Sequence, residues 1–200
     1  MKDLTNRVAI VTGSSSGVGA ATARLLAAQG CHVVINYNSN TDGAEQVAAD
    51  REAARAEILV LQANVANNED CVAMAQAAHE KWGRVDALVN NAGTTKFVDH
   101  DKLEGLSAED FQRIYSVNVV GAYQMTRAVS PFMQGQEEGG AVVNVASTAG
   151  ITGIGSCVAY AASKGAMVTM TLSLARALGC LLYTSPSPRD QRGSRMPSSA

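Results

Sequence analysis

The chain has 200 residues, with 16 basic and 18 acidic side chains and a formal net charge of −2 at pH 7. So small a charge argues against a nucleic-acid or anionic-membrane surface and for an ordinary globular protein. The first residues contain a single four-residue apolar run, VAIV, and no cleavage region, so we expect no signal peptide, no membrane span and a cytoplasmic location.

Short apolar runs alternate with longer helical patterns along the chain. The runs, at residues 8–11, 33–35, 58–61, 87–89 and 141–145, are rich in valine and isoleucine. Such runs are typical of strands covered on both faces. Helical patterns follow at residues 17–29, 42–52, 68–81, 107–133 and 160–178. Five strand-then-helix units predict an α/β fold with a doubly wound parallel sheet.

The predicted fourth helix carries the clearest local signals. Ser107 and Asp110 stand in capping-box spacing at its start, which is a typical helix N-terminus. Residues at helical spacing predict its apolar face: Phe111, Ile114, Tyr115 and Ala122.

Cysteines and histidines are scattered along the chain. Cys31, Cys71 and Cys157 lie in apolar surroundings without CxxC spacing, so we expect buried free thiols and neither a disulfide nor a metal site. The histidines are expected at the surface or at strand ends: His32, His79 and His100.

The segment TGSSSGVG, residues 12–19, follows the first predicted strand and opens the first helix. Glycines there allow a tight turn and a close approach of a ligand to the backbone, and the amides of a helix N-terminus favour negative charge. Alone, the pattern is as consistent with an ordinary turn as with a phosphate-binding loop. Ligands bind at the carboxyl ends of strands in such sheets, so the residues after the other strands decide between these two explanations.

Those residues resemble the short-chain dehydrogenase/reductase family, in its 3-oxoacyl-(acyl-carrier-protein) reductase and glucose dehydrogenase-like branch. TGSSSGVG, NNAG at 90–93, Ser147 and YAASK at 160–164 occur in the family's order and spacing. Each has a plainer explanation alone: a strand-end turn, a loop serine, or a surface pair at i and i+4. Tyr123 and Arg127 repeat the aromatic-to-cation spacing, but aspartate stands thirteen residues before Tyr123, where Ser147 precedes Tyr160. The conjunction of motifs therefore favours the family.

The resemblance implies strand order 3-2-1-4-5 and hydride transfer between NADP(H) and a small alcohol or ketone, such as a 3-oxoacyl thioester or a sugar. Tyr160 would donate the proton in reduction and accept it in oxidation. A phenol is a weak acid at neutral pH, but the ammonium of Lys164, one helical turn away, favours the phenolate. Lys164 would also hold the nicotinamide ribose. Ser147 would hydrogen-bond the substrate oxygen, and Asn118 matches an asparagine that holds a water leading to the lysine. The alternative is a regulator that binds a dinucleotide without catalysis.

The cofactor is expected to be NADP, with NAD possible. NAD-preferring members carry a carboxylate at the end of the second strand, where this chain has Tyr37, Asn38 and Ser39. A 2′-phosphate is therefore not repelled, although no arginine stands at Ser16 or Asn38 to pair with it. The resemblance places the following residues at the cofactor: Gly13, Ser15, Ser16, Gly17, Val18, Gly19, Tyr37, Asn38, Ser39, Asn64, Val65, Asn91, Ala92, Gly93, Tyr160 and Lys164.

The last residues differ in composition from the rest. Residues 180–200 hold three of the four prolines and lack apolar periodicity, so this segment cannot build a core. CLLYTSPSPRD and SRMPSSA each correspond to one translation of sequencing-library adapter DNA. We therefore expect one dinucleotide-binding domain over residues 1–179, truncated after the fifth strand and its helix, and a non-native, disordered tail. Sequencing the source DNA across the codons for Gly179 and Cys180 tests this.

Truncation has a predicted cost. The fifth strand would form an open apolar edge, which favours aggregation. We expect this chain to be inactive or poorly folded, and the complete protein to be a homo-oligomeric enzyme that pairs through the predicted helices at 107–133 and 160–178.

Overall fold

The computed structural model describes residues 4–49 and 56–182. Five parallel strands form one sheet in the order β3-β2-β1-β4-β5, which confirms the predicted fold and strand order. The strands are β1 Val8–Val11, β2 His32–Tyr37, β3 Ile58–Gln62, β4 Ala87–Asn90 and β5 Ala141–Asn144. The helices are α1 Gly17–Ala28, α2 Thr41–Ala49, α3 Asn68–Trp82, α4 Ala108–Tyr115, α5 Ala122–Gln134, α6 Ala149–Thr152 and α7 Val158–Leu182.

Hydrophobic packing covers both faces of the central strands of the sheet. Neighbouring residues of one strand point to opposite faces: Val33 and Ile35 pack with α1 and α2, while Val34 packs with α3 and α5. Both sets are almost fully buried, and burying each such side chain contributes ~1.5–3 kcal/mol. The apolar runs thus become a central sheet whose carboxyl edge, where the loops gather, is open for a site.

The predicted fourth helix is interrupted. The capping box is present, because Ser107 Oγ accepts from Asp110 N and Asp110 Oδ2 accepts from Ser107 N. The α-helix ends at Tyr115, however, and a six-residue π-helical segment, Ser116–Gly121, precedes α5. On the predicted apolar face Phe111 is 36% exposed, whereas Ile114 and Ala122 are buried.

Helices α6 and α7 also differ from the prediction. The short α6 was not predicted, because four residues are too few to show a helical period. The last helix, α7, begins at Val158 and runs to Leu182, three residues past the predicted domain boundary. Residues 183–200, most of the predicted tail, lie outside the described residues, as do residues 50–52 of the predicted second helix.

The thiols Cys31, Cys71 and Cys157 are buried and free, as predicted. Burial raises the pKa of Cys31 to about 12 and that of Cys71 to about 11. His32 lies at the start of β2, as predicted. His79 does not fit the prediction of a surface or strand-end histidine, because it lies half-buried in α3, with its ring stacked on Phe132 at 4.4 Å. In the described part of the chain no helix combines the length and apolar character that a membrane span requires.

Candidate active site

The glycine loop between β1 and α1 packs backbone against backbone. Gly13 and Gly17 have φ angles of +61° and +57°, which favour glycine. A Cβ on Gly13 would lie 2.8 Å from Ala92 Cα, and one on Gly19 would lie 2.7 Å from Gly13 O. Ser16 precedes α1 in an extended conformation, and its side chain caps none of the helix amides. The first-turn amides can therefore serve an anion.

Two asparagines hold this loop from the neighbouring strands. Asn36, buried in β2, accepts from Gly13 N through Oδ1 at 3.0 Å and donates to Ala63 O at 3.0 Å. Asn91, after β4, donates to Thr12 O at 2.9 Å and to Gly13 O at 3.0 Å. The sequence reasoning placed Asn91 at the cofactor but missed Asn36. The only signal for Asn36 was a polar residue inside the apolar strand HVVINY.

A cleft of about 650 Å³ opens at the carboxyl edge of the sheet beside this loop. The predicted cofactor residues that line it are Gly13, Ser15, Ser16, Asn38, Ser39, Asn64, Val65, Asn91, Ala92 and Gly93. The predicted residues outside its lining are Gly17, Val18, Gly19, Tyr37, Tyr160 and Lys164. The lining also contains residues that the sequence reasoning did not name: Asn36, Asn40, Ala63, Ala66, Thr94, Arg113, Ser116 and Val117.

A buried ammonium lies near one end of this cleft. Lys164 is 4% exposed, and its Nζ donates to Val145 O at 2.8 Å. Among the described residues no carboxylate forms an ion pair with it, and burial lowers the pKa of its ammonium. The Nζ lies 5.9 Å from the centroid of the Tyr160 ring. A Cβ on Gly93, which lines the cleft, would lie 3.8 Å from the same Nζ. The ammonium of Lys164 is therefore close both to the Tyr160 ring and to the cleft lining.

Asn118 is fully buried in the π-helical segment and joins the loop after β4 to helix α7. Its Oδ1 accepts from Thr94 N at 2.7 Å, and its Nδ2 donates to Thr94 O and to Ser163 Oγ, each at 3.0 Å. Ser163 in turn donates to Tyr160 O at 2.7 Å. Both amide hydrogens of Asn118 are therefore committed to protein oxygens, and the side chain fixes the β4 loop against the first turns of α7.

Ser147 lies after β5, just before α6. Its Oγ accepts a hydrogen bond from Ala149 N at 3.2 Å, which leaves the hydroxyl hydrogen to donate. Helix α6 packs directly on α7 through Gly150 and Gly165. A Cβ on Gly150 would lie 2.6 Å from Gly165 N, and one on Gly165 would lie 3.1 Å from Gly150 O. This contact places the segment that follows Ser147 beside the turn of α7 that carries Lys164.

The other aromatic-to-cation pair at the same spacing has a different environment. Arg127 lies 5.8 Å from the centroid of the Tyr123 ring, almost the distance found between Lys164 and Tyr160. Both residues are exposed on α5, and Arg127 donates to Asn68 Oδ1. The electrostatic interaction between such a solvated guanidinium and its neighbour is weak, because water screens the charge.

The sequence and the fold together establish the family. The model of the short chain dehydrogenase family matches residues 7–180, which include the glycine loop, NNAG, Ser147 and YAASK. The chain belongs to the short-chain dehydrogenase family. It is accordingly an oxidoreductase of that class.

This short-chain dehydrogenase is 38% identical over 178 residues to a 3-oxoacyl-[acyl-carrier-protein] reductase of Synechocystis sp., an alignment that covers 89% of this chain and 70% of the relative. It is also 38% identical to 3-hydroxyacyl-CoA dehydrogenase type-2 of Bos taurus, with 86% and 67% covered. The chain also resembles the crystal structure of levodione reductase, with a TM-score of 0.82 and 35% sequence identity. That match covers 89% of this chain and 68% of the reductase chain. The chain thus spans about 70% of the length of these relatives.

The cleft of this short-chain dehydrogenase fits a nicotinamide dinucleotide. Its volume lies within the ~300–1,000 Å³ typical of small-molecule sites. Gly13 and Ala92, which both line the cleft, approach so closely that a Cβ on Gly13 would collide with Ala92. Neutral polar groups line the wall after β2, and the open amides of α1 lie after β1. These groups suit riboses and phosphates.

Proposed function

We propose that this short-chain dehydrogenase transfers a hydride between NADP(H) and a small alcohol or ketone. One observation carries the proposal: a buried ammonium, Lys164, that lies beside the ring of Tyr160 and reaches the end of the dinucleotide cleft at Gly93. A bound nicotinamide would supply or accept the hydride. The glycine loop, with Ser15 and Ser16, would hold the phosphates.

The chain's own groups would handle the proton. In reduction, Tyr160 gives its hydroxyl proton to the oxygen of the carbonyl group, and the phenolate that remains regains a proton from solvent. Lys164 would place a positive charge beside the ring, where burial leaves that charge weakly screened. Ser147 donates a hydrogen bond to the same substrate oxygen, where negative charge develops, and keeps its hydrogen. In oxidation Tyr160 accepts the proton from the alcohol and releases it to solvent.

Turnover of the protein expressed from its source gene, with NADPH and a panel of carbonyl compounds, tests this proposal. The panel begins with 3-oxoacyl thioesters, because two relatives are named for that substrate class or its hydroxyacyl counterpart, and continues with sugars and simple ketones. We expect oxidation of NADPH that depends on the carbonyl compound. Tight NADPH binding without turnover of any panel member contradicts the proposal and favours a non-catalytic regulator.

The proposed preference for NADP rests on the wall after β2. Asn38, Ser39 and Asn40 line the cleft there, and the described lining contains no carboxylate that would repel a 2′-phosphate. Asn38→Asp should weaken NADPH binding about five- to tenfold, the effect of a like charge a few ångströms away near a protein surface. NADH binding should change little. Asn68→Asp, the same change on α3 outside the cleft, is the matched control. Equal losses for NADPH and NADH would contradict the proposed preference.

We also propose that the protein forms a homo-oligomer through the outer faces of α5 and α7. Exposed apolar side chains there include Tyr123 at 45% and Leu172 at 60%. Light scattering should give the mass of a dimer or tetramer, and Leu172→Asp should reduce it. A monomeric wild-type protein contradicts this proposal.

A further inference from the structure

Arg113 on α4 brings a positive charge to the cleft wall. It is the only charged side chain among the described residues that line the cleft, which are otherwise glycines and neutral polar or small apolar residues. Its side chain is 47% exposed, so the guanidinium is accessible to a ligand. A dinucleotide carries at least two negative charges on its pyrophosphate, and among the described lining residues Arg113 is the cation that could face them.

Neighbouring side chains hold this guanidinium in place without neutralising it. Arg113 Nη1 donates to Thr94 Oγ1 at 3.1 Å, and Nη2 lies 3.6 Å from Asp110 Oδ1. Asp110 is shared with Lys96, whose Nζ lies 2.6 Å from Oδ2 and holds the pKa of Asp110 at about 2. One carboxylate thus faces two cations. A guanidinium has five N–H donors, so donors remain after these contacts.

The strand order shows which phosphate Arg113 can reach. Thr94, which Arg113 contacts, lies in the loop after β4, whereas Asn38 and Asn40 lie after β2. Strands β2 and β4 flank β1 on opposite sides. Because adjacent strands are about 4.8 Å apart, the two walls are separated by roughly 10 Å. The glycine loop after β1 lies between them, next to the Arg113 wall.

We propose that Arg113 pairs with the pyrophosphate of the dinucleotide, which is then held from two sides, by the backbone amides of the glycine loop and by this guanidinium. The inference rests on the proposed function, since it requires a dinucleotide in the cleft. A pyrophosphate is common to NAD and NADP. Arg113 therefore contributes equally to the binding of both, unlike a residue that recognises the 2′-phosphate.

Equilibrium binding tests the inference without any turnover. Dissociation constants for NADPH and NADH are measured by fluorescence titration on the wild type and on Arg113→Gln, which removes the charge but retains a hydrogen-bond donor for Thr94. We expect both constants to rise about fivefold, as for loss of one partly exposed charge pair, with their ratio unchanged. Arg113→Lys should restore part of the loss. Arg127→Gln, an exposed arginine on α5 outside the cleft, should change neither constant.

Three outcomes overturn the inference. Unchanged constants in Arg113→Gln and in a second variant, Arg113→Met, mean that the guanidinium does not contact the cofactor. A loss confined to NADPH assigns Arg113 to the 2′-phosphate. If Thr94→Val, which keeps the guanidinium, loses as much affinity as Arg113→Gln, the effect is loop positioning. If the wild-type protein binds neither dinucleotide, the proposed function itself is wrong. That result is distinct from the three above, in which the wild type binds both.

Discussion

Two aromatic-to-cation pairs share one spacing and nearly one distance but differ in environment. The Tyr123–Arg127 and Tyr160–Lys164 pairs have cations 5.8 and 5.9 Å from the ring centroids. Arg127 is exposed and bonded to Asn68, whereas Lys164 is almost fully buried and bonded to a backbone carbonyl. Sequence spacing creates both pairs equally. Burial by the β4 and β5 loops shields only the Lys164 charge from water, and the proposed role of that pair rests on this difference.

The largest expected difference is in turnover. Tyr160→Phe removes the proposed proton donor and should lower kcat by about 10²–10⁴-fold, the usual contribution of a positioned acid or base. Tyr123→Phe makes the same chemical change on α5 and should leave kcat unchanged. Steady-state kinetics on the protein expressed from its source gene measures both variants.

The two tyrosine variants must also be compared in cofactor binding. The dissociation constant of NADPH for Tyr160→Phe should stay within about twofold of wild type, because the lost hydroxyl serves the proton step. Substantial residual turnover in Tyr160→Phe, or an equal loss in Tyr123→Phe, would show that burial does not distinguish the pairs.

A matched pair of glycines extends the comparison to the loop. Gly13 and Gly83 both have positive φ, at +61° and +73°, but a Cβ on Gly13 meets Ala92 whereas one on Gly83 meets nothing within 4 Å. Gly83→Ala should lower the free energy of unfolding by about 1–2 kcal/mol, the cost of a left-handed residue. Gly13→Ala should lose roughly 1–3 kcal/mol more through overpacking. Denaturant titration measures both, and equal losses would mean that the Ala92 contact relaxes freely.

The smallest expected effect is a pH dependence of stability. Burial lowers the pKa of Lys164 below its ordinary value of 10.5. At neutral pH the ammonium is charged in both folded and unfolded states, so the full cost of burying it is present. As pH rises through the lowered pKa, the folded protein loses the proton first, and the wild type becomes more stable relative to Lys164→Met.

Arg127→Met supplies the comparison for this effect, because the exposed guanidinium stays charged throughout the range. Its stability difference from wild type should not change between pH 7 and pH 10. Thermal unfolding of the three proteins across this range measures the effect. A relative loss of wild-type stability on raising the pH would contradict the burial argument.

The sheet was predictable because each strand left a continuous apolar run, and parallel strands with helical crossovers admit few topologies. The π-helical segment was not predictable, since a pattern of i+3 and i+4 spacings continues through SVNVVG without a break. The motif residues were found through their order in the chain. Whether they perform the proposed chemistry stays a prediction, although the structure brings Asn118, Tyr160 and Lys164 together through Ser163 and Gly93.

Supporting residues of the site escaped prediction for a physical reason. Asn36 holds the glycine loop by accepting a hydrogen bond from Gly13 N, and such a contact between strands leaves no fixed spacing in the sequence. Asn91, which also holds the loop, was placed at the cofactor through the NNAG motif. Arg113 was missed because an arginine on an amphipathic helix resembles any solvated charge. Only the packing of α4 beside Thr94 brings it to the cleft.

The contact between Gly150 and Gly165 has a consequence for the geometry of the reaction. Because neither residue has a side chain, the backbone of α6 lies directly on that of α7. The segment that carries Ser147 therefore lies close to α7. Any larger residue at either position would push the two helices apart. In the proposed reaction a carbonyl oxygen lies between Ser147 and Tyr160, so these two glycines would set the space for it without contacting the substrate.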